Sequence, residues 1–151
     1  MDAIDLRLVE LLTASARTSY AELAQEVGLS APSTAERVRR LEERGVVLGY
    51  AAVVDPAALG RGLTAFVSVS VGDRAQTRAF LAAVARLPEV VECHHVAGDD
   101  DYLLKVHVDG THGLEHLVTD RLKAIKGVLR TRTTVVLSTP VDRPVTVDGS
   151  A

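Results

Sequence analysis

The chain has one cysteine, no tryptophan and only five phenylalanines and tyrosines among its 151 residues. A lone Cys93 excludes an internal disulfide and any cage built from several cysteines, and leaves a small residue expected to lie buried on a strand. With 3% aromatics, the interfaces are expected to be aliphatic. Neither a signal peptide nor an apolar run of membrane-spanning length is present, so a cytoplasmic protein without a membrane partner is expected. There is no excess of positive charge either. A net charge of −3 argues against coating nucleic acid by bulk electrostatics, and any such binding must come from a local cluster of cations. What remains is 47% hydrophobic residues, enough for one or two small cores.

The most patterned stretch is Ser19 to Tyr50. Ser19 with Glu22 three positions on matches a capping box, and Leu23 and Val27 share a face with Tyr20, which predicts a helix buried on that side. Gly28 suits the position past a helix end. Ser30 then caps a second helix with Pro32 in its first turn. At 100° per residue, Ala31, Thr34, Val38 and Leu41 form its inner stripe, while Ser33, Glu36, Arg37, Arg40 and Arg44 point outward. Two short helices across a tight turn, the second carrying arginines, are the arrangement of a helix-turn-helix and its recognition helix. The expected DNA-binding residues are Ser30, Ser33, Thr34, Glu36, Arg37, Arg39, Arg40 and Arg44. Ser33, Thr34 and Glu36, near the helix start, are candidates for base edges. The four arginines are candidates for phosphates, with Arg37 also within reach of a guanine.

An amphipathic helix over Asp5 to Leu12 completes a three-helix unit. Val46 to Val54 is β-branched and reads as a linker strand able to pair with another copy, followed by breaks at Asp55-Pro56 and Gly60-Arg61-Gly62. Beyond it the expected order is a strand at Ala65 to Val71, a helix at Gln76 to Leu87 with Phe80, Leu81, Val84 and Leu87 inward, strands at Val90 to Ala97 and Tyr102 to Val108, a helix at Leu114 to Lys126, and a strand at Val128 to Leu137. This βαββαβ order predicts a ferredoxin-like fold, so the class is α+β. The expected domains are a winged or helix-turn-helix unit over 1–50, a linker over 51–62, the ferredoxin-like unit over 63–138 and a tail over 139–151. The tail reads as loosely held, with Val145 to Val147 able to add an edge strand.

These motifs together resemble the Lrp/AsnC, or feast/famine, family of transcriptional regulators. The resemblance rests on Met1-Asp2-Ala3-Ile4-Asp5, Arg17, Leu29-Ser30, Arg37-Val38, Arg40-Leu41-Glu42, Gly45-Val46-Val47-Leu48-Gly49-Tyr50 and Gly98-Asp99-Asp100-Asp101-Tyr102-Leu103-Leu104. Two positions depart from the family pattern: Thr34 replaces an aliphatic residue, and Asp100 a bulky one. The resemblance implies double-stranded DNA as partner, a dimer assembling to an octamer or similar ring, and an amino-acid effector rather than a cofactor. It places that effector near Gly98, Asp99, Asp100, Asp101 and Tyr102, with Thr131, Thr133 and Thr134 as weaker candidates, since alternating threonines also suit any half-exposed strand. In such a turn, exposed N–H groups can hold a carboxylate, and Asp99 or Asp101 can accept an ammonium. Asp100 adds a negative charge that favours a basic or neutral ligand.

Two other functions fit the same architecture. Sirohaem decarboxylases are similar to the family and use histidines in a tetrapyrrole pocket, and this chain has five. A non-sensing architectural DNA-binding protein is the other. The capped, arginine-bearing helix favours a regulator over an enzyme, and the acidic total charge disfavours an architectural role. The histidines also raise a metal site, because His112 and His116 lie four apart. Adjacent His94 and His95 must face opposite sides of a sheet, however, and two ligands do not make a zinc site, so no metal is expected.

Overall fold

The computed structural model describes residues 1–147. Three helices come first: α1 (Ala3–Ala14), α2 (Tyr20–Val27) and α3 (Ala31–Glu43). Every one of them starts at a side-chain cap. Asp2 and Asp5 form a capping box on α1, two residues earlier than the expected start. Ser19 and Glu22 form another on α2, and the Ser30 side chain accepts from the Ser33 N–H on α3, where Pro32 occupies the first turn. Between α2 and α3 the chain reverses at Gly28, whose φ of 68° is left-handed, and Leu29 N–H donates to the Ala24 carbonyl at 3.0 Å. A side chain with Cβ is strained there, which is why glycine occupies the turn.

Leu8, Leu12, Leu23, Val38 and Leu41 form the core of this unit, with Ile4, Val9, Leu11, Val27, Val46 and Val47 packed around them. Each fully buried leucine contributes about 1.5–3 kcal/mol, so this small cluster sets the angle between the helices. Tyr20, expected in the core, is 47% exposed; it is the first residue of α2 and lies beyond the reach of that cluster. Residues 46–54 form no strand and are largely exposed, because a β-branched run becomes a strand only when another strand pairs with it, and none in the single chain does. No hairpin wing follows α3.

The described residues divide into two compact units, 1–53 with 141–147, and Val54–Pro140. The second opens with a 3₁₀ turn at Ala57–Leu59 that the sequence did not suggest. It continues as β1 (Leu63–Val71), α4 (Arg74–Val84), β2 (Val90–His95), β3 (Tyr102–Val108), α5 (Thr111–Glu115), a π-helical stretch at His116–Leu122, and β4 (Val128–Val135). The strands form one antiparallel sheet in the order β2-β3-β1-β4, the ferredoxin-like arrangement.

In β1, Ala65, Val67, Val69 and Val71 are buried toward the helices, with Leu104, Val106 and Val108 of β3 beside them. Phe80, Val84, Leu87, Leu114, Leu117 and Leu122 close the core from above. Leu81 does not join it and is 39% exposed, since it lies at the margin of the α4 inner face. Cys93 is on β2, as expected, but exposed, because β2 is an edge strand. Val145 to Val147 adds no strand. The chain end instead runs beside α1 and the linker, and Pro144, Thr146 and Val147 line recesses there with Leu11, Thr13 and Val47. The last four tail positions, 148–151, lie outside the described residues.

Candidate DNA-binding and effector sites

The outer face of α3 is where the expected DNA contacts gather. Ser33 is exposed at its first turn, and Arg39, Arg40 and Arg44 are exposed along its length. Ser30 is occupied as the cap: its Oγ accepts from the Ser33 N–H at 3.3 Å and donates to Ser33 Oγ at 2.9 Å. Thr34 must be withdrawn from the readout set. It is fully buried, and its Oγ1 has no hydrogen-bond partner among the described residues. The helical spacing places it inward, and that periodicity outweighs its position near the helix start.

Carboxylates of the same helix answer most of the arginines. Glu36 accepts from Arg39 Nη2 at 2.8 Å and Nε at 3.0 Å, and from Arg40 Nε at 3.1 Å. Those two guanidiniums, Arg39 foremost, pull the Glu36 carboxyl down to about 2. Arg39 also pairs with Glu43. Arg37 is turned toward α1, where its Nη1 donates to Asp2 Oδ2 at 2.7 Å and Asp5 Oδ1 at 2.8 Å. Arg44 has no carboxylate partner among the described residues and lines a recess of about 230 Å³ with Arg37, Arg40, Leu41, Asp2 and Asp5. Tyr50, at the start of the linker, donates to Glu42 Oε1 at 2.8 Å. Burial foremost, with that carboxylate second, pushes its phenol up to about 12.

In the second unit the expected effector residues do not form one cluster. The turn Gly98–Asp101 closes the β2-β3 hairpin, and Asp101 pins it: its Oδ2 accepts from the Val71 N–H at 2.7 Å, and its own N–H donates to the Val69 carbonyl at 3.1 Å. Asp100 is 6% exposed. Its Oδ1 accepts from Ser70 Oγ at 2.8 Å and Arg130 Nη2 at 2.9 Å, and its Oδ2 from Arg132 Nη2 at 2.9 Å. These partners, Ser70 first and then Arg130, hold its carboxyl below the ordinary range. Asp100 is therefore a clamp joining β1, the turn and β4, and its charge is answered by two arginines rather than left for a ligand. Asp99 is exposed, with only its carbonyl engaged, by Arg130 at 3.1 Å.

Tyr102 is buried between Phe80 and His95, with both ring centroids at 5.1 Å. Thr131 and Thr133 lie opposite Val69 and Val67, whereas Arg130 and Arg132 lie opposite Ser70 and Ser68. By strand alternation the threonines share the helix-facing side of the sheet with Tyr102, and the arginines share the open side with Ser70. Thr134 lies on the open side, opposite Phe66. Ser70, Arg130 and Arg132 were missed. The alternation Arg130-Thr131-Arg132-Thr133 was the available signal, since it sets two cations on one face.

The histidines are spent separately. His94 bonds Glu92 at 2.8 Å, His107 bonds Thr64 at 2.9 Å and His116 bonds Asp120 at 2.8 Å. Among the described residues no three His, Cys, Asp or Glu side chains converge as metal ligands, and no described helix is long and apolar enough to cross a membrane.

Comparison with known proteins adds the family. Residues 1–42 match the AsnC-type helix-turn-helix domain, and residues 64–146 match the Lrp/AsnC ligand binding domain. The chain is 42% identical over 139 residues to the HTH-type transcriptional regulator LrpA of Mycobacterium tuberculosis, covering 92% of this chain and 91% of that one. It is 40% identical over 139 residues to the leucine-responsive regulatory protein of Escherichia coli K12, covering 91% and 85%. A Neisseria meningitidis transcriptional regulator solved as a complex with L-Met superposes with a TM-score of 0.90 at 30% identity, over 95% of this chain and 94% of that one. These matches run along nearly the whole chain, which belongs to the Lrp/AsnC family of transcriptional regulators.

Proposed function

We propose that this regulator reads a specific DNA sequence through α3 and that an amino acid, bound beside the Gly98–Asp101 turn, sets its DNA affinity by altering its assembly. The observation that carries the first half is the exposed Ser33, Arg39, Arg40 and Arg44 on a helix fixed by the Gly28 turn and the Ser30 cap. Ser33 is the base-edge candidate, while Arg39, Arg40 and Arg44 hold phosphates and Glu36, bonded to Arg39 and Arg40, restrains two of them. Ser30 acts by capping the helix rather than by touching DNA.

An amino-acid effector is supported by the relative solved with L-Met and by the one named leucine-responsive. The local charges favour it too. Arg130 and Arg132 have side chains 60% and 66% exposed, so each keeps donors free for a carboxylate. Asp99 is the free carboxylate for an ammonium. Asp100 is answered by the two arginines and Asp99 is left for an ammonium, so the charges present suit a zwitterion. Thr131 and Thr133 lie on the other side of the sheet and would serve a ligand only if a second copy brought that surface round.

We further propose assembly as a dimer, and from dimers as an octamer, in the cytoplasm; the exposed apolar linker, with Leu48 at 93% and Val53 at 103%, supports contact with a second copy. The functional division follows 1–50 for DNA, 63–138 for effector and assembly, 51–62 as linker and 139–151 as tail.

Fluorescence anisotropy with DNA from upstream of the protein's own gene, against a scrambled duplex, tests this at two salt concentrations with and without pooled amino acids. Preference that survives raised salt and shifts with the pool is expected. Equal, salt-sensitive binding to both duplexes would refute sequence reading, and indifference to the pool would refute sensing.

A further inference from the structure

Arg37 stands in the middle of the recognition helix, yet its guanidinium faces away from a DNA-exposed position. Its side chain is 31% exposed, and Nη1 spends both hydrogens on carboxylates of another helix, Asp2 Oδ2 at 2.7 Å and Asp5 Oδ1 at 2.8 Å. The same two aspartates form the capping box of α1. Asp2 Oδ1 accepts from the Asp5 N–H at 2.8 Å, and Asp5 Oδ2 accepts from the Asp2 N–H at 3.3 Å. All four carboxylate oxygens are thereby used, two on the α1 backbone and two on one nitrogen of α3. The network is closed and bridges residues 32 and 35 positions apart.

We propose that Arg37 is a positioning residue: it locks the rotation of the recognition helix against the first turn of α1 and does not itself contact DNA. This rests on the reading of α3 as the DNA-contacting helix. The core cluster of Leu8, Leu23, Val38 and Leu41 fixes the distance between α1 and α3, but aliphatic packing tolerates small rotations. Charge-assisted bonds to two carboxylates do not, because their strength depends on direction as well as distance. Arg40 and Arg44 lie three and seven residues further along and share the recess that Arg37, Asp2 and Asp5 line. A small roll of α3 would swing both arginines and Ser33 off their targets together. The first five residues of the chain thus belong to the DNA-reading apparatus without touching DNA.

The test uses the full-length protein, a duplex enriched from a random library by the wild type, and a shuffled duplex of equal composition. Affinities are measured over a range of salt for wild type, Arg37→Met, Asp5→Asn and the double variant. Methionine keeps an unbranched stem and removes the fork. Affinity for the enriched duplex is expected to fall by about tenfold in Arg37→Met, comparable to losing one base contact. The slope of log affinity against log salt should stay that of the wild type, and the shuffled duplex should bind as before. Asp5→Asn should reproduce the loss although it removes a negative charge, and the double variant should be no worse than either single one. If Arg37 held a phosphate, the slope would become shallower by about one and Asp5→Asn would tighten binding; that pattern overturns the proposal. Should Arg37→Met fail to fold, Asp5→Asn alone decides, because the two roles give it opposite signs. A wild type that enriches no sequence refutes sequence reading itself, a result distinct from a changed slope with enrichment intact.

Discussion

Thr34 offers the sharpest check on the placement of α3. Its side chain is fully buried, and its hydroxyl meets no acceptor or donor among the described residues. Valine has nearly the same shape and a similar helix propensity, so Thr34→Val removes an unpaired polar group while leaving the packing of Val38 and Leu41 intact. Burying an unpaired hydroxyl costs about 1–3 kcal/mol by mutational measure, and the lower part of that range is expected here because the hydroxyl can rotate. A gain of about 1–2 kcal/mol corresponds to a five- to thirtyfold change in the opening equilibrium. In a small domain each kcal/mol moves Tm by about 4–8 °C. Hydrogen exchange on the full-length chain isolates the effect, because amides of α2 and α3 report on the first unit alone. Exchange at Val38 and Leu41 should slow by that factor, while affinity for the enriched duplex stays the same. Faster exchange would mean that the hydroxyl is satisfied in solution. Lost sequence preference with unchanged exchange would show that Thr34 reaches a base, and α3 would then be rotated from its position here.

Three further outcomes follow from the same geometry. Glu36 neutralises Arg39 and Arg40, so Glu36→Gln should tighten binding to enriched and shuffled duplexes alike and steepen the salt slope by about one; loss of preference at one base pair would instead make Glu36 a reader. Asp100 titrates below the ordinary 3.8, so its stabilisation is full above that pH and lost as pH falls through the lowered value. Asp100→Asn should remove part of the acid-side loss of stability in the second unit, measured by urea titration at stepped pH, and an unchanged acid limb would refute the clamp. Tyr50 should ionise near 12 in an absorbance titration, and Tyr50→Phe should delete that late step; an intact late step in the variant would assign it to another tyrosine.

The features legible in the sequence were those with local causes. Ser19 with Glu22, Ser30 with Pro32, and Gly28 act within one helical turn of themselves, and each appears as read. The alternation of Phe66-Val67-Ser68-Val69-Ser70-Val71 likewise faces as expected. Asp2-x-x-Asp5 had the spacing of a capping box but was read only as part of a family resemblance. Features with distant causes were not legible. Asp100 meets Ser70, Arg130 and Arg132 across about thirty positions of chain, and nothing in Gly98–Asp101 predicts its inward turn. The stretch after Glu115 shows helical spacing, and the sequence gives no sign that it widens to a π-helix and ends at Leu122 rather than Lys126. Val46 to Val54 is unpaired in the single chain for a third reason: composition supplies propensity, but a strand requires a neighbour, which for this segment was read as another copy.

The pairing of the arginines from Arg37 to Arg44 bears on how DNA binding is controlled. Arg37 is held by two aspartates, Arg39 and Arg40 share Glu36, and only Arg44 stands without a carboxylate among the described residues. On a chain of net charge −3, one copy of this helix gains little from counterion release, which scales with the phosphates neutralised. Two such helices on one duplex behave differently, because the second contact forms at a high effective concentration once the first is made. On the proposed reading, the number and spacing of copies therefore govern DNA occupancy more strongly than any change within one helix. An effector that prefers one assembly over another then acts without a signal passing along the single chain, and its effect is bounded by its differential affinity for the two assemblies. The clamp at Asp100 fits that role, because it fixes the exposed Arg130 and Arg132 on the open side of the sheet, where a ligand can reach them.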